Sequence, residues 1–416
     1  MKRLAILSVH SSPIAAPGGK KVGGMNTYVR EIALEFARQG MEVDIFTRRI
    51  SPEQPNIDDS LGEGVNVVHV NAGSPYELGP VEIYPHLQQF TAGVIAHTIR
   101  HNISYDLVFS HYWLSGWVAQ HLKEAWGTPF VQMFHTLGHM KNRIPSVTTP
   151  VPQVRIRTET QVVEWADMIV ANTPAERAQL LWLYHADRRK IAVCPPGVNT
   201  ERFHPIGREV ARAALGISQD VNLLVFAGRI EPLKAVDSII EALHVMQQQP
   251  GGLNKMRFAV IGGDPKDVTD PDMMALRRLT QEYGLDDVVS FVGAKNQNEL
   301  VQWYAAATTV IMPSEYESFG MVALEAMATG TPVIASEVGG LAFLVRDGET
   351  GFLVPARSPE DLAGAITSMV CDPVWHRVMG VNAANLARSY AWDSIASRLL
   401  ENFETLPQRG QRALAS

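Results

Sequence analysis

Short, mostly apolar runs alternate with helical segments along this chain; the alternation pauses once, at Pro195-Pro196-Gly197, and then restarts. Strands joined through helices pair in parallel, because a parallel pair needs a crossover long enough to hold a helix. In the first series the strand candidates are residues 4–9, 42–46, 65–70, 107–110, 130–134 and 168–172. Between them lie helical stretches at 25–39, 87–100 and 113–126, and another begins at Pro174. The first stretch puts Val29, Ile32, Ala33 and Phe36 on one face, leaves Leu34 off it and stops at Gly40. After a Pro- and Gly-containing linker that ends near Phe203-His204-Pro205, strands are expected at 223–227, 258–261, 288–292 and 308–312. Residues 359–404 read as helical and 407–416 as a polar, frayed end. A chain of 416 residues exceeds what one core usually holds, so two α/β units are expected, at 1–200 and 201–391. A helix within 392–416 is a candidate to complete the first. In such sheets ligands bind at strand carboxyl ends.

The richest of those ends is PSEYESFGMVALEAMATGTPVIASEVGG, residues 313–340, in which Glu317 and Glu325 stand with seven residues between them. A buried strand, the turn Ser318-Phe319-Gly320 and a helix of about three turns together form an anion site, with free N–H groups at residues 319–322 and a positive dipole end. Carboxylates on either side would accept hydroxyl hydrogen bonds, as a polyol joined to a phosphate requires. Standing alone, the pair reads first as one solvent-facing glutamate and one helix-dipole glutamate. The loop GGKKVGG, residues 18–24, lacks both G-x-G-x-x-G spacing and a Walker lysine, and serves either close backbone approach to a ligand or a plain turn.

Two further strand ends carry histidine: Ser110-His111-Tyr112-Trp113 and His135-Thr136-Leu137-Gly138-His139. One such histidine is ordinarily structural; two on one sheet edge point to a site. Lys141, Arg143, Arg155 and Arg157 follow, cations suited to an anionic acceptor, with at least two of the four expected to be merely solvated. In GRIEPLK, Arg229 and Lys234 lie five apart across a strand-to-helix loop and could reach one diphosphate, although as isolated residues they read as surface charges.

Composition mainly excludes. A net charge of -7 makes no case for nucleic acid, and two distant cysteines, Cys194 and Cys371, support neither a disulfide framework nor a thiolate zinc site. Asp270-Pro271-Asp272 lies in a polar loop and makes no convincing metal motif. The apolar start is broken at His10-Ser11-Ser12-Pro13 before a signal peptide is complete, and no stretch is long and apolar enough to span a membrane, so a cytoplasmic location is expected.

Taken in order, GGMNTYVREIA, SHYWLSG, FHTLG, NTPAE, PPGVNTERF, AGRIEPLK and ESFGMVALEAMATGTPVIAS resemble the retaining glycosyltransferases of family four, which have the GT-B fold, over nearly the whole chain. The resemblance implies two Rossmann-like doubly wound domains facing each other across a cleft, with the acceptor on the first and the nucleotide-sugar donor on the second. It implies a UDP-sugar donor, UDP-glucose foremost, and no metal or other cofactor. Within the family the sequence is most similar to sucrose-phosphate synthases and to the inositol-phosphate glycosyltransferases of mycothiol synthesis. Carried over by position, the backbone of Gly24 would meet the donor diphosphate and Asn26 would lie beside the acceptor. His135 would sit by the reacting sugar carbon, and Arg229 and Lys234 would hold the leaving diphosphate. Glu317 would bind donor-sugar hydroxyls, Glu325 the ribose and the Lys295 backbone the uracil, with Gly263 and Ser318, Phe319, Gly320, Met321 and Val322 completing the donor set. Tyr112, Thr136 and Arg155 match positions that bind an acceptor phosphate. One position departs: where the inositol-phosphate enzymes carry a phosphate-binding lysine this chain has Pro80, with no lysine beside it in sequence.

The first expectation is glucose transfer to fructose 6-phosphate, giving sucrose 6-phosphate, although the resemblance does not extend to the phosphatase-like domain that some sucrose-phosphate synthases carry. The second is transfer of N-acetylglucosamine to inositol phosphate. A non-catalytic nucleotide-sugar or glycan-binding module and a GT-B epimerase stay open, and the oligomeric state is not readable.

Overall fold

The computed structural model describes residues 1–14 and 23–406; the expectations for glycine-loop residues 18–22 and for the tail 407–416 fall outside it. Eight strands form the first sheet: β1 (Arg3–Leu7), β2 (Glu42–Arg48), β3 (Ile57–Gly62), β4 (Val65–Val70), β5 (Leu107–His111), β6 (Phe130–Met133), β7 (Met168–Ala171) and β8 (Ile191–Val193). Their order is β3-β4-β2-β1-β5-β6-β7-β8, parallel except for the β3–β4 pair. The second sheet holds β9 (Asn222–Ala227), β10 (Met256–Ile261), β11 (Val289–Phe291), β12 (Thr309–Met312), β13 (Val333–Ser336) and β14 (Gly351–Val354). It is parallel throughout, in the order β11-β10-β9-β12-β13-β14. Helices cover both faces of each sheet, so central strands must be apolar on both sides and appear in sequence as continuous runs. Strand β3, IDDSLG, was missed because it is a polar edge strand that pairs only with β4 and shifts register along it.

The helix Gly24–Arg38 buries Val29, Ile32, Ala33 and Phe36 and leaves Leu34 half-covered, as its periodicity predicts; it also buries Glu31 and Glu35, which periodicity does not. The stretch read as one helical run over 359–404 is three helices: Pro359–Cys371, Pro373–Arg388 and Trp392–Glu404. Asp372 makes the first break, accepting from the N–H groups of Val374 at 3.0 Å and Trp375 at 2.9 Å, and Pro373 has no N–H to continue the preceding helix. The last helix returns to the first sheet. Its Trp392, Ile395, Ala396, Leu399 and Phe403 share one core with Leu4, Ile6, Val29, Ile32 and Phe36. Gly197 makes room for this return, since a Cβ there would lie 2.6 Å from the Trp392 ring. No helix among the described residues is long and apolar enough to cross a membrane.

Strand order reverses direction between β1 and β5 in the first sheet and between β9 and β12 in the second. Crevices open at the carboxyl ends of strands at such switch points. Here the two crevices face each other.

Candidate active site

The second domain gathers its expected donor-site residues at its switch point. A Cβ on Gly262, after β10, would lie 1.8 Å from the Gly228 carbonyl oxygen, so the turns after β9 and β10 meet backbone to backbone. Beyond Gly228, Arg229 is half-exposed and paired to Glu231 at 3.0 Å. Lys234 ends the short turn Pro232–Lys234 and donates from Nζ to Glu317 Oε2 at 2.5 Å, with both side chains largely buried. The family resemblance implies that these two residues share one site; their direct pairing emerges only from the fold. Gly320, at φ +107°, caps the helix Met321–Ala328, about two turns rather than the expected three because Gly330 stops it. Glu325 on that helix is buried, and burial pushes its carboxyl up to about 7. The Tyr304 hydroxyl donates to its Oε2 at 3.3 Å. Lys295 and Gly263 follow neighbouring strands, tied by a 2.9 Å hydrogen bond from Ala294 N–H to the Gly263 carbonyl.

Gly340 packs directly beneath the turn that carries Glu317. Its N–H donates to the Glu317 carbonyl at 2.8 Å, and a Cβ on it would fall 2.2 Å from Phe319 Cα. Gly340→Ala must therefore displace the Phe319 backbone and the helix start. Binding of nucleoside diphosphate, followed by calorimetry, is expected to weaken by about 10-fold or more, since each charge-assisted bond lost is worth roughly 1.5–3 kcal/mol.

In the first domain, Arg155 organises the opposite wall. It is 5% exposed and donates to Glu159 Oε1 at 2.6 Å, the Tyr112 hydroxyl at 3.0 Å, the Thr136 carbonyl at 2.9 Å and Thr136 Oγ1 at 3.1 Å. All three residues matched to an acceptor-phosphate site thus meet at one guanidinium. Glu159, fully buried, also accepts from the Gly138 N–H at 2.9 Å and from the Tyr184 hydroxyl. His135 follows β6 with φ +60°, and its Nε2 lies 2.9 Å from Nδ1 of His111, at the end of β5. Burial, with His10 nearby, lowers the His135 imidazole to about 3. Asn26 is buried, donating to Ser11 Oγ at 2.6 Å and the Ser12 carbonyl at 2.8 Å while accepting from Gly23 N–H at 3.1 Å, so in this conformation it braces the end of the glycine loop.

The walls close on each other. A Cβ on Gly23 would lie 3.9 Å from Arg229 Nε, and one on Gly24 3.4 Å from Met321 Cγ. The Ser146 N–H reaches Glu315 Oε2 at 3.4 Å across the gap. Between them is a cleft of about 400 Å³ lined by Pro80, Tyr112, Lys141 and Arg155 from the first domain and Glu231 and Leu233 from the second. Arg143 and Arg157 lie exposed on the surface and do not line the cleft. Lys141 has no ion pair among the described residues, and burial with the Arg155 charge lowers its pKa. Among the described residues no cluster of His, Cys, Asp or Glu could hold a metal ion; Asp270 instead caps the helix Pro271–Glu282.

The chain matches two sequence families, described as Glycosyl transferase 4-like domain over residues 23–197 and Glycosyl transferases group 1 over residues 207–386. A D-inositol 3-phosphate glycosyltransferase of Kineococcus radiotolerans is 43% identical, covering 98% of this chain and 96% of its own. The chain belongs to family four of the GT-B glycosyltransferases. This glycosyltransferase therefore moves a sugar from a nucleotide-sugar donor. A second relative, the D-inositol 3-phosphate glycosyltransferase of Actinosynnema mirum, is also 43% identical, over 96% of both chains. Among solved structures, the sucrose-phosphate synthase of Thermosynechococcus elongatus superposes with TM-score 0.88 at 33% identity over 100% of both chains. HepE of Anabaena, solved with UDP and glucose, shares the fold at TM-score 0.76 and 20% identity, over 98% of this chain and 100% of its own. Two features of the glycosyltransferase's site escaped the sequence reading. The tie between His111 and His135 depends on β5 and β6 being neighbours, and the placing of Lys141 and Pro80 in one cleft depends on the tertiary fold.

Proposed function

We propose that this chain is a retaining hexosyltransferase that takes a UDP-sugar as donor and a phosphorylated polyol as acceptor. The observation that carries the acceptor class is the charge of the cleft. Glu159 pairs with Arg155, whereas Lys141 in the same cleft makes no ion pair among the described residues; Glu231 and Glu159 act on it only at a distance, which leaves room for an anion. Lys141 supplies the cation whose absence beside Pro80 put a phosphate acceptor in doubt. The relatives' names favour inositol 3-phosphate as the acceptor, and N-acetylglucosamine is the sugar that the family resemblance pairs with it. Pro80 and the sucrose-phosphate synthase likeness support the second reading, fructose 6-phosphate with glucose.

The donor lies between the domains, with residues 1–200 and the C-terminal helix on the acceptor side and 201–391 on the donor side. Glu317 orients the sugar, Glu325 holds the ribose, and Arg229, Lys234 and the backbone N–H groups of residues 319–322 face the diphosphate. The acceptor oxygen forms its bond to the anomeric carbon on the face from which the phosphate oxygen departs. The diphosphate takes the electron pair of the broken bond and the acceptor's proton. Fixed donors stabilise the charge that grows on it, and His135 positions the sugar rather than acting as a base.

The test is nucleotide release from UDP-glucose, UDP-N-acetylglucosamine and ADP-glucose against inositol 3-phosphate, fructose 6-phosphate and the unphosphorylated polyols, with product anomers read by NMR. Release with a phosphorylated acceptor and retained configuration is expected. Lys141→Met should then raise acceptor KM roughly 10- to 100-fold, the worth of one charge-assisted hydrogen bond. Acceptor affinity should be full below the lysine's lowered pKa and decline as pH rises through it. Equal rates with and without the acceptor phosphate would overturn the reading.

A further inference from the structure

His111 lies outside every role assigned above, yet it is fully buried and forms a hydrogen bond to the residue nearest the chemistry. Strands β5 and β6 each run into a residue in the left-handed region, Tyr112 at φ +75° and His135 at φ +60°. At His135 the Thr136 N–H closes back onto the Phe134 carbonyl at 2.7 Å, a three-residue turn with a positive central φ. Turns of this kind are strained and persist only where their surroundings over-determine them. Two ties hold these turns. Arg155 links the Tyr112 hydroxyl to Thr136, and His111 Nδ1 reaches His135 Nε2 at 2.9 Å. Tyr28 packs edge-on against His135, with ring centroids 5.4 Å apart.

The second tie also orders protons. Of two neutral imidazoles sharing one hydrogen bond, one donates and the other accepts. His111 Nε2 is buried with no partner among the described residues. A buried N–H without an acceptor is costlier than a bare lone pair, so the His111 proton belongs on Nδ1, donated to His135 Nε2. The His135 proton then sits on Nδ1. That nitrogen has no partner among the described residues and is not among the buried ones, so it stays accessible just beyond the carboxyl end of β6.

We propose that His111 is a positioning residue: its Nδ1–H holds the strained His135 turn and fixes the His135 tautomer, so that Nδ1–H is presented to the substrate as a hydrogen-bond donor. His135 in that tautomer offers the cleft no lone pair, which leaves the acceptor's proton to the departing phosphate. The catalytic consequence rests on the proposed transferase reaction; the tautomer does not.

The test has two arms. In histidine-labelled protein, long-range proton–nitrogen correlation is expected to show His135, assigned through His135→Gln, protonated at Nδ1 with Nε2 bare. The opposite pattern overturns the proposal and needs neither substrate nor a folded His111 variant. In the kinetic arm, His111→Phe is expected to lower kcat on the order of 10- to 100-fold with donor KM little changed, as misplacement of a positioned group does. His111→Asn, whose amide nitrogen can occupy the place of Nδ1, should recover most of that loss. An unchanged rate in the phenylalanine variant overturns the proposal, as does an asparagine variant that folds normally and is equally slow. If no acceptor is turned over by the wild-type protein, the reaction assigned above fails and the nitrogen spectrum still decides the role of His111.

Discussion

Arg229→Ala is expected to lower kcat by about 10²–10³-fold, the loss seen when one preorganised donor to a developing anion is removed. The same substitution should cost at most about 1 kcal/mol of stability, because the guanidinium is half-exposed, although its partner atom Glu231 Oε1 is shielded from solvent. The structure separates the two effects. Arg229 is half-exposed, and its pair with Glu231, at 3.0 Å, is of the solvent-screened kind that contributes little to folding. Its guanidinium nevertheless faces Gly23 across the cleft, where a diphosphate can approach the backbone. Lys234 would be the less clean test, since its removal leaves the largely buried Glu317 without its cation and mixes folding with catalysis. Steady-state kinetics beside a melting curve decides the matter: turnover at the wild-type rate would remove Arg229 from the leaving-group site.

The largest loss of stability is expected from Arg155→Met. The substitution strands Glu159, which is fully buried and keeps only the Gly138 N–H and the Tyr184 hydroxyl as partners. Breaking a buried pair on one side costs about 3–5 kcal/mol, because the remaining charge stays uncompensated. For a cooperative unit of about 200 residues, the size of one domain, that is a fall in melting temperature on the order of 10 °C. Adding Glu159→Gln to the same chain removes the stranded charge and is expected to restore a good part of the loss. A single variant that melts with the wild type would show that Arg155 is not a structural keystone, and an unrecovered double variant would show that the stranded charge is not the cause. Acceptor KM should rise in both variants, since Tyr112 and Thr136 lose the guanidinium that gathers them.

Most of the strands that sequence patterning located are covered on both faces, such as β1, β5 and β12, whose residues are almost wholly buried, although the equally buried β13 is not among them. The polar edge strand β3 carries no such signal, and neither does the burial of Glu31 and Glu35 on an otherwise regular amphipathic helix. The candidate site residues stand out in sequence for a related reason. Most lie just beyond the carboxyl end of a strand or near a helix start, and both are local features of the chain.

The sequence alone determined the two alternating series, the linker between them and the residues at each strand end. Burial of parallel strands demands continuous apolar runs, and turn chemistry is written within a few residues. Only the tertiary structure decided which of those residues meet. His111 reaches His135 because β5 and β6 are adjacent, and Lys234 reaches Glu317 because β9 lies beside β12. Lys141 shares a cleft with Pro80 although 60 residues separate them in sequence. Hydrogen bonds and ion pairs act over a few ångströms, and those distances are set by strand order and domain approach, which no local periodicity encodes.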